Sequence, residues 1–302
     1  MERRKFIRNT AASSSLITLG GLGLNSCNTS SQKHITILHT NDVHSHVDAF
    51  PDDHTDFPGM GGLARRAGLV ASIRKENPNT FLFDAGDIFQ GTPYFNFYGG
   101  ELEFKLMSML NYDASTIGNH DFDNGIDGLL AQMPYATFNF ISANYDFSNT
   151  VLDGRTQPYK IFMKDGIKIG VYGLGIQLEG LVTKKLYKET LYIDPFEMAS
   201  EMETKLKEEE KCNLVICLSH LGYEYESEQK PDDLKLAKKT KFTDLIIGGH
   251  THTFLDRPTI VTNAAGRDVL VNQVGCFGVN LGRIDFYFDN ITTSANGYTI
   301  KV

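Results

Sequence analysis

The sequence predicts an α/β fold with mixed sheets, and three observations carry that prediction. Strand-like and helix-like runs alternate from residue 34 onward. The strand-like runs are short and rich in β-branched or aromatic residues, as buried strands are. No linker and no internal repeat interrupts the alternation, so 34–302 reads as one domain, an ordinary size for a single large α/β unit.

Each element follows from local pattern. "HITILHT" (34–40) alternates and is β-branched, which predicts a first strand ending near Thr40. The polar, Pro- and Gly-containing stretch 48–61 reads as a loop or insertion. "GLARRAGLVASIRKENP" (62–78) spaces its apolar residues helically and stops at Pro78. "TFLFDAGD" (80–87) predicts a second buried strand opening into a loop at Gly86, and a helix is expected over 99–110. "ASTIGNHDFDNG" (114–125) reads as a third strand opening into a loop. "FNFISAN", a hairpin over "YKIFMKDGIKIGVYGLG" and a charged helix near 195–210 follow. "NLVICLSH" and "DLIIGGHTH" continue the alternation, and "RDVLVNQVGCFGVNLGRIDFYFD" reads as antiparallel strands closing the sheet. Cys212, Cys217 and Cys276 form no motif and read as small core residues. Cys212 and Cys217, five apart on one expected strand, should face opposite ways.

Five strand-like runs end in residues able to hold a metal: "HTNDVH", "DAGD", "IGNHD", "LSH" and "GGHTH". In open α/β sheets, functional groups gather beyond the carboxyl ends of strands. Taken singly the pieces are weak. Asp42 and His44, read as extended chain, would share a face, yet a loop aspartate beside a chance histidine is the commoner arrangement. Asp87 alone reads as a turn residue, and a lone His220 at a strand end is usually structural. Asn119 offers an amide oxygen, an uncommon ligand. His250 and His252, again read as extended chain, could serve one centre or one ion each.

In this order, however, "LHTNDVHSH", "DAGDIFQG", "TIGNHDFDNG" and "IIGGHTHTF" resemble the signature blocks of the calcineurin-like metallophosphoesterases, and most closely their 5′-nucleotidase branch. The resemblance runs from about residue 35 to 289. It implies the metallo-dependent phosphatase fold, two mixed β-sheets packed as a sandwich and flanked by helices in α/β/β/α layers. It also implies two divalent metal ions. Asp42, His44, Asp87 and His252 would hold one, and Asp87, Asn119, His220 and His250 the other, with Asp87 bridging. A mixed nitrogen and oxygen set without thiolate suits Zn, Mn, Fe or Co rather than a structural zinc. His120 would face the phosphoryl group with Asp123 holding it, and Asn119 and His120 would contact substrate. Asp121 and His46 would support ligands without binding metal, and Asn41 is not expected to be a ligand. The chemistry implied is attack on a phosphate monoester, a 5′-nucleotide first, by a hydroxide bridging the ions, with His120 assisting the leaving oxygen.

The first 33 residues read as an address and tether. "MERRKFIRNT" is basic with adjacent Arg3 and Arg4, "AASSSLITLGGLGL" is a short apolar stretch, and "LNSC" resembles a bacterial lipobox at Cys27. The expectation is export from a bacterial cytoplasm to the periplasm or cell envelope, with lipidation at Cys27 as the membrane contact. No later stretch is long and apolar enough to span a bilayer. A net charge of −8 disfavours a nucleic-acid partner.

In the 5′-nucleotidase branch a second domain binds the base, and none is expected in the residues up to Val302. Beside a stand-alone phosphoesterase stands the catalytic subunit of a split 5′-nucleotidase with a separate base-binding chain. A cyclic-nucleotide or other small phosphoester hydrolase fits the same metal ligands, and a silent metal-binding module is the third class.

Overall fold

The computed structural model describes residues 32–289 and 293–302. Cys27 and the expected export signal lie outside them. The chain runs β1 (Lys33–Thr40), α1 (Leu63–Glu76), β2 (Thr80–Asp84), α2 (Pro93–Tyr98), α3 (Glu101–Met109), β3 (Ala114–Ser115), α4 (Gly125–Gln132) and β4 (Asn139–Phe140). There follow β5 (Tyr145–Asp146), β6 (Tyr159–Lys164), β7 (Ile167–Leu174), α5 (Lys184–Tyr187), β8 (Leu191–Tyr192), α6 (Pro195–Thr204) and β9 (Leu214–Ser219). The last elements are α7 (Asp233–Lys239), β10 (Leu245–Ile247), β11 (Thr259–Thr262), β12 (Asp268–Asn272), β13 (Asn280–Phe288) and β14 (Thr293–Lys301).

Two six-stranded mixed sheets result, ordered β14-β13-β1-β2-β3-β4 and β11-β12-β10-β9-β7-β6. Side-chain alternation decides how they pack. Ile35 and Ile37 of β1 and Phe83 of β2 meet Val171, Ile216 and Ile247 of the second sheet in one core between the sheets. Leu38 and Leu82 point the other way, into a core with Val70 and Ile73 of α1 and Phe104 of α3. On the far side, Tyr172, Val215 and Ile246 pack with Met202 of α6 and Leu236 of α7. The layers are therefore α/β/β/α, as expected. Each of these fully buried side chains contributes ~1.5–3 kcal/mol of hydrophobic stabilisation.

Local sequence explains the borders. Helix α6 starts where Asp194 accepts from the amides of Phe196 and Glu197, with Pro195 in its first turn. It runs on as a π-helical turn, Lys205–Glu209, within the charged segment expected to be helical. The expected hairpin is β6 and β7, antiparallel, turning at Asp165 and Gly166 with both residues left-handed. Helix α7, strands β11 and β14 and the short helices α2 and α4 have no counterpart in the sequence reading.

Three expectations are corrected. The tail does not close one sheet with antiparallel strands. Strand β12 joins the second sheet parallel to β10, and β13 crosses to the first sheet, antiparallel to β1. Both segments are apolar enough for either position, so composition could not choose between them. Cys212 and Cys217 do not face opposite ways, because Cys212 lies before β9 in the turn after the π-helical segment, and both enter the same core. Thirdly, only Ala114–Ser115 of "ASTIGNHDFDNG" is strand. Among the described residues no helix is long and apolar enough to cross a membrane.

Candidate metal centre

Strands β1, β2 and β3 run parallel in one sheet, and β9 and β10 run parallel in the other. Their carboxyl ends open at a common edge, and the segments just beyond them carry the expected ligands. Five of the seven adopt left-handed backbone: Asp42 (φ 49°), His44 (49°), Asp87 (56°), His250 (74°) and His252 (53°). This overturns the extended geometry expected for D-x-H and H-x-H. Each such residue costs about 1–2 kcal/mol outside glycine, strain of the kind that gathers at functional sites. Tight reversals let successive residues aim inward instead of alternating.

The side chains form two adjoining groups, Asp42 with His44 and His252, and Asp87 with His220 and His250. In the first, His44 Nε2 lies 3.0 Å from His252 Nε2, and His252 Nε2 lies 3.4 Å from Asp42 Oδ1. In the second, His220 Nε2 lies 3.1 Å from Asp87 Oδ2. His250 Nδ1 is 2.8 Å from Asn119 Oδ1, which adds the amide oxygen to that group. Asp87 Oδ2 is also 3.9 Å from His44 Nε2, so this carboxylate stands between the groups.

Neighbouring groups fix the ligands in place. His220 Nδ1 donates to Ala85 O at 2.6 Å, which turns Nε2 toward the centre. The His250 amide donates to both Asp42 oxygens at 3.0 and 2.9 Å, and Asn41 Nδ2 donates to Asp42 Oδ2 at 2.7 Å. Asn41 thus supports a candidate ligand, a role the sequence did not suggest. Asp121 accepts from the amides of Asp87, Ile88, Phe89 and Gly118, which pins the turn carrying Asp87. Burial first, and then the charge of Asp87, push the Asp121 carboxyl up to about 7. His46 stands outside, with Nδ1 on His44 O and its ring against Phe277. At Gly118 a Cβ would come within 2.2 Å of Asp87 Oδ1, so only glycine allows this approach.

The electrostatics fit cations. Asp42 and Asp87 are buried, and so is His220. Burial works against charge on His220, but the carboxylates of Asp87 and Asp42 outweigh it and raise its pKa, while Asp87 is held below the usual carboxylate range. Burial lowers His44, and burial with the nearby His220 pushes His250 down to about 4. Despite its closeness to Asp87, His220 Nε2 makes no aligned hydrogen bond and is an orphaned buried polar atom. A buried nitrogen without a partner, facing carboxylates and neutral imidazoles, is what a metal-binding donor set presents.

His120 stands at the rim. Its Nδ1 donates to Asp123 Oδ2 at 2.8 Å, and its ring sits 5.2 Å from that of His44. The two residues meet because a 3-10 turn, His120–Phe122, brings positions three apart together. The hydrogen bond that His120 donates to Asp123, against the opposing effect of burial, raises the His120 pKa.

Sequence reasoning missed two supports. Gln273 donates to Gly249 O at 2.6 Å and accepts from the Thr253 amide, fastening the loop with His250 and His252. Phe277 donates its amide to Asp42 O at 2.7 Å from a left-handed backbone (φ 59°). Gly275 and Gly278, which bound Cys276 and Phe277, are compatible with a sharp turn, but nothing in the sequence says what such a turn would touch.

The sequence pattern described as Calcineurin-like phosphoesterase matches residues 35–254. The Trifunctional nucleotide phosphoesterase protein YfkN of Bacillus subtilis is 35% identical over 84% of this chain and 18% of its own length. The 5′-nucleotidase of Rattus norvegicus is 34% identical over 86% of this chain and 48% of its own. The chain therefore spans less than half the length of either relative. Among solved structures, the 5′-nucleotidase precursor from Thermus thermophilus superposes with a TM-score of 0.79 at 32% identity, over 89% of this chain and 55% of that one. The matched segment begins in β1 and ends just past His252, so it takes in all five strand ends. Fold, ordered strand ends and sequence agree, and the chain belongs to the calcineurin-like phosphoesterase family and is related to the 5′-nucleotidases.

Proposed function

We propose that this chain is an exported, dinuclear metal-dependent phosphoesterase that hydrolyses phosphate monoesters, 5′-nucleotides first among them. The observation that carries the reading is Asp87 Oδ2 standing between two groups of ligands, 3.1 Å from His220 and 3.9 Å from His44. One ion would rest on Asp42, His44, Asp87 and His252, the other on Asp87, Asn119, His220 and His250. Bound there, two divalent ions supply positive charge to phosphoryl oxygens and acidify water in their vicinity.

The chain's own groups do the rest. Asp123 holds the His120 ring by Nδ1 and favours its protonated form, leaving Nε2 directed away from that bond. From the rim, His120 can donate a proton to the departing alcohol oxygen or stabilise charge growing on the phosphoryl group. Asn119, which precedes His120 in the chain, would contact the phosphate as well. Export rests on Arg3, Arg4 and the small residues before Cys27, where the lipid anchor would attach.

The test is a substrate panel on the purified protein loaded with Mn or Zn. It compares 5′-nucleotides, 2′,3′-cyclic nucleotides, glycerol phosphate and an activated aryl phosphate. Preference for 5′-nucleotides is expected. Turnover of cyclic nucleotides alone would replace the substrate class, and turnover of the aryl ester alone would indicate dependence on a separate base-binding chain.

A further inference from the structure

Beside the first ligand group the surface changes from imidazole to phenyl. Phe277 packs its ring 5.8 Å from His252 and 5.9 Å from His44. Phe57, from the loop between β1 and α1, meets Phe277 edge-on at 6.0 Å and stacks on Phe254 at 5.9 Å with 25° between the planes. Phe254 is 48% exposed, unusual for a phenyl ring two residues from a candidate ligand.

The exposed ring is held in place. A Cβ at Gly275 would fall 2.2 Å from the Phe254 ring, so the ring lies directly on glycine backbone. That backbone is tied to the same strand end, since the Gly275 amide donates to Thr253 O at 2.9 Å. An aromatic ring fixed by stacking beneath and beside it has already lost its rotamer freedom, so covering its open face carries little entropy cost.

We propose that Phe254 and Phe57 form a stacking subsite for a planar, aromatic leaving group attached to the phosphate. The inference rests on the phosphoesterase reading and deepens it by naming what selects the substrate. Position decides the occupant. The rings continue from His252 and His44 outward, so a phosphate held at the centre would carry its alcohol portion along them when a sugar-sized spacer joins the two. An anionic membrane surface is disfavoured, because the loop bearing Phe57 also carries Asp52, Asp53 and Asp56. Phe277 is a positioning residue in this arrangement, since its amide holds Asp42.

The experiment measures kcat/KM for a 5′-nucleotide and for glycerol phosphate in the wild type, Phe254→Ala, Phe254→Leu and Phe254→Trp. Binding of adenosine, which lacks phosphate, is measured in parallel by calorimetry. Stacking on one base predicts that Phe254→Ala and Phe254→Leu lower the nucleotide-to-glycerol ratio about 5-fold or more, while Phe254→Trp preserves it. Adenosine binding should weaken in the same two variants. A fall shared equally by both esters, or an unchanged ratio, overturns the subsite. If the wild type hydrolyses no ester, the phosphoesterase reading fails separately, and adenosine binding insensitive to Phe254 then overturns the subsite too.

Discussion

His44 Nε2 lies 3.0 Å from His252 Nε2, two ring nitrogens aimed at one another from opposite ends of the domain sequence. One proton at most can sit between them, and Asp42 Oδ1 is 3.4 Å from the same His252 nitrogen. A divalent cation satisfies all three donors at once, whereas a proton satisfies two. Elemental analysis after dialysis against Mn or Zn should therefore find two ions per chain. Since Gln offers an oxygen at nearly the same reach, His252→Gln should keep both ions. Asp87→Ala, which removes the carboxylate between the groups, should lose occupancy from both. Full metal content in Asp87→Ala would overturn the bridging assignment.

His120 and Asp123 separate from the ligands in their effect. His120→Ala should lower kcat about 100-fold or more, the scale of a lost acid–base group, with metal content unchanged. The pH profile gives the finer test. A proton donor is active below its pKa, and the Asp123 hydrogen bond raises that of His120. Activity should fall as pH rises through the raised value, and Asp123→Asn should move that alkaline limb to lower pH. A limb that stays put in Asp123→Asn would remove the pair from the proton-transfer role.

Gly118→Ala tests the close approach behind Asp87. The new methyl would lie 2.2 Å from Asp87 Oδ1 and 2.4 Å from the Asp87 amide, so one of them must move. The loop is at the rim of the sheets, not in their core, so the fold should survive with weakened metal binding. The expected result is native-like circular dichroism with a metal Kd raised about 10-fold or more, by analogy with the loss of groups that orient ligands. Wild-type affinity would show that the turn has room to spare.

The site was more legible than the fold, for a physical reason. Residues able to bind metal are few types, and here they fall at fixed places after strands, so the candidates Asp42, Asp87, His220 and His250 stand out whatever the sheet order. Conformation at the ligands was not legible, because Asp and His give no sign that they will adopt the left-handed region usually left to glycine. The strand register of β12 and β13 was hidden too. Their apolar runs satisfy burial in either sheet, and only contacts distant in sequence, such as Ile37 with Ile284, decide it. Phe254 was invisible for the opposite reason, since a single aromatic in a chain with 20 phenylalanines carries no signal until its exposure is known.

His39 supplies a stability test independent of the metals. It is fully buried between the sheets, accepting from Asn272 Nδ2 at 2.9 Å, and burial pushes its pKa down to about 3 from an ordinary 6.5. Folded protein keeps the imidazole neutral where unfolded chain takes up a proton. Stability from this group is therefore intact above pH 6.5 and drains away as pH falls toward 3. One proton's difference amounts to a slope of about 1.4 kcal/mol per pH unit. His39→Gln offers a neutral side chain able to accept the same hydrogen bond, so it should lack this slope. Urea unfolding of the metal-free proteins should show the variant less stable near neutrality, from imperfect packing. The gap should then close as the pH is lowered, because Asp84 and Asp121 titrate alike in both proteins and cancel in the comparison. A gap that stays constant across the acid range would mean His39 is protonated in the folded state, and the bond to Asn272 would then have to be drawn the other way.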